Sequence, residues 1–305
     1  MKKKILAGIL TMAMLCTGLA GCGSKNETVD GESKEKKVSI TISVPDPDAS
    51  YIYQAAEEFA KRANEYSDGS LEFKVSGNGS LYGGDTAAGI KQLSAGSLQM
   101  LILASSVYAS FEPGYNVISV PYMFDDQQQF LDYLNSDVGT ELMNRVSDMG
   151  ITTVGKWTRS MRKVTNSVRP VNTPEDLDGM VLRVPNNSLY VEFFGACGAV
   201  TTPMNFSEVY NALQLNTLDG QENPIDVPYS NKFYEVQKYL SLTEHFYPVC
   251  PVMVSDLMWK KLNDEDAAIV KEELYEMVKY ERKVAGEQLD ETLQKLKDAG
   301  MEVNT

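Results

Sequence analysis

"KVSITISVPDPDASYIYQAAEEFAKRANEYSDGSLEFKVSG", residues 37 to 77, decides the fold. Val38, Ile40, Ile42 and Val44 alternate with polar residues, the period of a strand with one buried face. Between Ser50 and Ser67 the apolar residues Ile52, Ala55, Phe59 and Ala63 recur at three and four positions, which is the spacing of one helix face. Leu71, Phe73 and Val75 then alternate again. Strand, helix and strand in so short a stretch make a β-α-β unit, the building block of an α/β domain with parallel strands.

Toward the C-terminus the same rhythm continues. "GGDTAAGIKQLSAGS" (83 to 97) reads as a helix and "LQMLILAS" (98 to 105) as a strand, giving β-α-β-α-β and a largely parallel sheet. A second alternating set begins at "ITTVGKWTRSMRKVTNS" (151 to 167) and runs to "EVQKYLSLTEH" (235 to 245). Within it Thr173 caps a short helix with Pro174 at its first position and Asp176 three residues past the cap, and Gly179 stops it. The last set, 262 to 300, reads as helix for more than thirty residues, capped by Asn263, ended by Gly300 and broken at most near Ala285-Gly286. It lacks clean heptads, so a coiled coil is disfavoured, and a helix of that length spans more than one lobe.

The other end of the chain carries an address. "MKKKILAGILTMAMLCTGLAGC" has three lysines, an apolar run short for a membrane span, and Leu19, Ala20 and Gly21 before Cys22. This is the pattern of a bacterial lipoprotein signal: residues 1–21 are removed and Cys22 becomes the lipidated N-terminus, leaving the membrane reached through the lipid alone. Residues 22–36 are polar and without aromatics, a tether rather than a core. Loss of Lys2, Lys3 and Lys4 takes the formal charge from −14 to −17, which argues against nucleic acid or an anionic lipid surface as partner. Of four cysteines only Cys197 and Cys250 remain in the body, and two buried thiols are favoured over a bridge. A single histidine, His245, with no Cys or His cluster removes most zinc sites and Ser-His-Asp arrangements, and the absence of GxGxxG, P-loop or HExxH motifs weighs against an enzyme. Neither cofactor nor metal is expected.

One residue stands out within this frame. Arg183 lies between Leu182 and Val184 in "GMVLRVPNN" (179 to 187), inside a run that otherwise reads as a strand. A guanidinium buried there needs a partner. Its planar fork of donors fits the two oxygens of a carboxylate, so the partner is either a bound anion or an internal Asp or Glu.

The blocks "GSLYGGDTAAGIKQLSAGSLQM", "SVPYMF", "VTNSVRPVNTPEDLDGMVLRVPNN", "FGACGAVTTPMNFSEVYNALQLNTLDGQENP" and "YEVQKYLSLTEH" resemble, in that order and spacing, the solute-binding proteins of tripartite ATP-independent periplasmic (TRAP) transporters, the dicarboxylate-binding family. The resemblance covers essentially residues 38 to 300. It implies an α/β, two-lobed, class II type periplasmic-binding fold with hinge strands and a long C-terminal helix spanning both lobes. The expected division is 37–159 plus 249–288 for one lobe and 160–248 plus 289–305 for the other. It also implies a carboxylate clamp at Arg183, a second arginine at Arg162, and Asn223 and Phe206 at the ligand. Asn186, Asp48 and Ser105 complete the expected ligand-binding set. Phe206 would cover one face of the ligand, and Asp46 and Asp48 in "PDPDAS" are placed either to accept from sugar hydroxyls or simply to form the turn before the helix.

The resemblance implies an extracytoplasmic, monomeric receptor that closes on a small carboxylate and delivers it to separate TRAP permease subunits, without catalysis. Sialic-acid-binding members carry a glutamate in the strand matching "LILASS", where this chain has Ala104 and Ser105, so that ligand is disfavoured. A hexuronate or aldonate and a C4-dicarboxylate, with Arg162 on the second carboxylate, are the two ligand classes that stand. A sensor subunit for the same anion, or a secreted hydrolase or lyase of sugar acids, are the competing functions, though no pair of carboxylates in the sequence is singled out for catalysis.

Overall fold

The computed structural model describes residues 37–305. The expected signal peptide (1–21), lipidation site Cys22 and tether (22–36) lie outside them. In chain order the strands are β1 Val38–Ser43, β2 Leu71–Ser76, β3 Met100–Ile102, β4 Ile151–Thr158, β5 Arg162–Asn166, β6 Val181–Val184, β7 Val200–Pro203, β8 Gly220–Pro224, β9 Tyr239–Ser241, β10 Val249–Ser255 and β11 Glu302–Asn304. They form two sheets, a five-stranded one of order β2-β1-β3-β10-β4 and a six-stranded one of order β11-β9-β5-β8-β6-β7. Each sheet with its helices is one lobe of a mixed α/β fold.

The opening β-α-β unit forms as its pattern requires. Strands β1 and β2 pair in parallel from Val38↔Leu71 to Ser43↔Ser76, and β3 joins β1 in parallel on the other side. Between β1 and β2 the helix Tyr51–Tyr66 starts at Ser50, whose Oγ accepts from the Ile52 N–H at 3.2 Å. Ile52, Ala55, Phe59 and Ala63 are buried against the sheet. The capping hydroxyl satisfies one of the helix's orphan donors and is worth about 1 kcal/mol.

The first sheet is less parallel than its sequence pattern suggests, because β10 enters between β3 and β4 and runs antiparallel to both. Every residue of β10 is buried, so it shows no alternation by which to read it. Pro251 is tolerated there next to a register shift at Val252/Met253. The second sheet is mixed as well: β6 is parallel to β7 and β8, while β5 is antiparallel to β8 and β9.

Three segments connect the lobes. Residues 159–161 leave β4 for β5, and 242–248 return from β9 to β10. These two run side by side, with Arg162 N–H donating to Phe246 O at 2.9 Å and Arg159 N–H to Pro248 O at 3.4 Å. The third is the helix Asp264–Asp298, unbroken at Ala285-Gly286 and capped by Asn263, whose Oδ1 accepts from Asp266 N–H at 2.7 Å. Val270, Leu274 and Met277 pack in the core of the first lobe, and Leu289, Leu293 and Leu296 in that of the second, beside Leu240 and Met301. Among the described residues no helix is long and apolar enough to cross a membrane.

Candidate functional site

A cavity lies where the carboxyl ends of both sheets face each other. From the first lobe it is lined by Pro45 and Asp46, which follow β1, and by Leu103, Ala104 and Ser106, which follow β3. From the second come Arg183 and Pro185 at the end of β6, and Asn223 and Pro224 at the end of β8. Arg162 opens β5, and because β5 is antiparallel to β8 its first residue stands at that same edge, opposite Pro224. Ligands of open α/β sheets bind in this crevice.

Three buried arginines line the cavity, and they differ in what holds them. Arg162 is paired: its Nε reaches Glu222 Oε2 at 2.5 Å, its Nη2 reaches Glu222 Oε1 at 2.8 Å and Asn223 Oδ1 at 3.0 Å. Burial opposes its charge, but the Glu222 carboxylate outweighs burial and holds the guanidinium above its ordinary pKa. Arg159 is held twice, its Nη1 by Asp226 Oδ2 and its Nη2 by Asp46 Oδ1, both at 2.6 Å. Arg183 donates only to a backbone carbonyl, Met204 O, from Nε at 3.1 Å and Nη2 at 2.7 Å. It is 4% exposed and, among the described residues, forms no ion pair. Burial without a counter-ion pushes its pKa down to about 10, so it is still a cation at neutral pH, but an uncompensated one. The Phe206 ring lies 5.9 Å from its guanidinium carbon and lines the same cavity.

Among the described residues no Asp or Glu pairs with Arg183; Glu222, whose charge it feels, is bound to Arg162. Glu222 is completely buried and also meets His245 Nε2 at 3.1 Å, while His245 Nδ1 meets Thr243 Oγ1 at 2.8 Å. A neutral imidazole satisfies both, donating to Glu222 and accepting from Thr243. Burial lowers the pKa of His245 despite the neighbouring carboxylate.

The structure brings together Arg183, Arg162, Asn223 and Phe206 at one cavity. Asn223 is already engaged, accepting from Arg162 and donating to Gln221 Oε1 at 2.6 Å. Asp48, Asn186 and Ser105 lie outside that lining. Asp48 is exposed, and the acid of its loop that faces the cavity is Asp46, two residues earlier, because the chain direction after β1 puts Asp46 inward and Asp48 toward solvent. Ser105 is buried in a short helix, with its neighbours Ala104 and Ser106 on the cavity wall instead. Asn186 is exposed and its carbonyl accepts from Ser110 Oγ at 2.8 Å, a contact between the lobes at the rim. Arg159 and Glu222 were not singled out in the sequence. Arg159 sits in a basic run, "KWTRSMRK", with nothing to distinguish it from surface charge, and its acids are 113 and 67 residues away. No disulfide joins Cys197 to Cys250. Among the described residues no group of three or more His, Cys, Asp or Glu is placed to hold a metal ion.

Two lobes meeting over a cavity that holds an uncompensated arginine are the arrangement of a solute-binding protein for anions. The family profile "Bacterial extracellular solute-binding protein, family 7" matches residues 43–305, and the chain belongs to that family. It is 34% identical over 251 residues to the 2,3-diketo-L-gulonate-binding periplasmic protein YiaO of Escherichia coli, covering 82% of this chain and 76% of that protein. Among solved structures it is similar to a TRAP periplasmic solute-binding protein from Roseobacter denitrificans with bound L-galactonate, at 29% identity, TM-score 0.83 and coverage of 88% and 89%. A counterpart from Sulfurospirillum deleyianum with bound succinate matches at 29% identity, TM-score 0.84 and coverage of 88% of each chain. Each of these relatives is described as a binding protein.

Proposed function

We propose that this protein is the extracytoplasmic receptor of a TRAP transporter, capturing a small organic carboxylate, a sugar acid or a C4-dicarboxylate, between its lobes and delivering it to the membrane permease subunits. The observation that carries the reading is Arg183: a buried guanidinium on the cavity wall with no acid of its own. The ligands of the similar proteins, L-galactonate and succinate among them, are carboxylates and support it. The lobes 37–159 plus 249–288 and 160–248 plus 289–305 move as bodies about residues 159–161 and 242–248, the receptor works as a monomer without chemistry of its own, and the lipid on Cys22 holds it at the membrane.

Calorimetry on Arg183→Ala tests the clamp. The ligand carboxylate would lose its main partner in a closed cleft, so affinity should fall by about 2 to 5 kcal/mol, roughly thirtyfold to several thousandfold. Arg183→Lys keeps the charge, loses the fork and should also bind poorly. The ligand-free melting temperature should hold or rise, because no acid is left unpaired. Wild-type affinity in Arg183→Ala, or tight binding of a neutral hexose by the native protein, would overturn the reading. For the anchor, Cys22→Ala should move the protein from the membrane to the soluble fraction.

A further inference from the structure

The cavity wall facing Arg183 across the lobes carries an acid. Asp46 follows β1 and is 3% exposed. Its Oδ1 accepts from Arg159 Nη2 at 2.6 Å and from Ser50 Oγ at 3.3 Å. Its Oδ2 is buried and has no hydrogen-bond partner, on a residue that lines the cavity. Arg159 does not serve Asp46 alone, because Asp226 holds its other terminal nitrogen. Two carboxylates, one from each lobe, therefore share one guanidinium, so neither is matched by it alone. Arg162 cannot redress this, since Glu222 already matches it. The cavity thus presents a lone cation on the second lobe and, on the first, a carboxylate with a vacant acceptor.

A buried acceptor left without a donor is costly, and a ligand hydroxyl closing on Asp46 Oδ2 relieves that cost. A ligand carboxylate in the same place brings no proton to donate and meets a like charge at low dielectric. We propose that Asp46, held in place by Arg159, is the specificity residue of this receptor: it accepts a hydrogen bond from a ligand hydroxyl, so the protein selects hydroxylated monocarboxylates such as aldonates and uronates and rejects dicarboxylates. The inference rests on the reading of Arg183 as the carboxylate clamp, and it removes the role of second carboxylate partner from Arg162. Asp46 acts by rejection as much as by attraction, which is how a small site obtains a large difference in affinity.

Matched ligands test it on the native protein. D-erythronate against meso-tartrate, and D-galactonate or D-galacturonate against galactarate, differ chiefly in a terminal carbon that becomes a carboxylate. By calorimetry the tightest monocarboxylate should exceed its diacid partner by about thirtyfold or more, and hexanoate, which lacks hydroxyls, should bind as poorly as the diacid. Asp46→Asn removes the charge at nearly constant shape and should shrink the preference over the diacid to about fivefold or less, with Arg183 untouched. Because Asp46→Asn also disturbs Arg159, its melting temperature is measured alongside, and the native comparison decides alone if that variant does not fold. A diacid bound as tightly as its monocarboxylate by the native protein, or an undiminished preference in folded Asp46→Asn, overturns the inference. If both acids bind equally and Arg183→Ala abolishes both, the clamp stands and only the selectivity falls. If none of the five hydroxylated acids binds, the carboxylate reading falls with it.

Discussion

Glu222 sits at the junction of two demands. It is fully buried, which raises the cost of its charge, and it faces Arg162 and His245, which restore it; the balance leaves its pKa below the ordinary carboxylate value. Removing one partner of a buried pair strands the other, so Glu222→Ala should destabilise by about 3 to 5 kcal/mol, read as a loss of the order of ten degrees in melting temperature. His245 adds a pH dependence whose sign is fixed by burial. Its folded pKa is lowered while the unfolded chain titrates near the ordinary value of about 6.5, so below that pH the unfolded state binds a proton that the folded state refuses. The contribution of His245 is present in full above about pH 6.5 and is lost as pH falls toward the folded pKa. The melting temperature should therefore fall more steeply between pH 6.5 and 5 in the native protein than in His245→Gln; parallel curves would refute the assignment. At this scale Arg183 was legible, because a guanidinium in an apolar strand is already an anomaly. Arg159 and Asp46 were less so: which acid of "PDPDAS" turns inward depends on how the chain leaves β1, and the partners of Arg159 meet it only across both lobes.

The long helix was the most legible element and does the least local work. Its cap, its length and its end follow from Asn263 to Gly300, and it comes out as Asp264–Asp298 without interruption. Gly286 lies in its interior, and a Cβ there would meet nothing within 4 Å. Gly286→Ala should then stabilise by about 0.5 to 1 kcal/mol through lost freedom of the unfolded chain, and raise the melting temperature by about one to four degrees. A drop on thermal denaturation would mean that the helix bends at Gly286 in the folded state. The opening β-α-β unit was equally plain, since its apolar period changes from two to about 3.6 and back. By contrast β10 was hidden, because a strand buried on both faces has no period to show and its neighbours β3 and β4 are set by topology, not by local pattern.

Over the whole molecule the lobes are in contact at several points. Asn187 Nδ2 donates to Ser106 O at 2.9 Å and Asn116 Oδ1 at 2.8 Å, Tyr122 N–H to His245 O at 3.1 Å, and Ser207 Oγ to Gly84 O at 3.3 Å. Gly84 belongs to the first lobe, has φ +76°, and faces Ser207 of the second so closely that an added Cβ would lie 2.6 Å from the Ser207 Cβ and in collision with its Oγ. Two costs follow for Gly84→Ala, and they fall on different states. The left-handed backbone strains an alanine in any arrangement of the lobes, by about 1 to 2 kcal/mol. The clash with Ser207 arises only when the lobes meet, so it shifts the population away from the binding-competent form and lowers apparent affinity by that fraction. Small-angle scattering should show native protein contracting when saturated with ligand, while Gly84→Ala stays expanded at the same concentration. Ser207→Gly removes both atoms of the clash but leaves the alanine strained. The double variant Gly84→Ala/Ser207→Gly should therefore recover affinity and contraction without recovering the melting temperature, a non-additivity confined to binding. Recovery of neither would place the damage in the loop of Gly84 itself and separate that loop from closure.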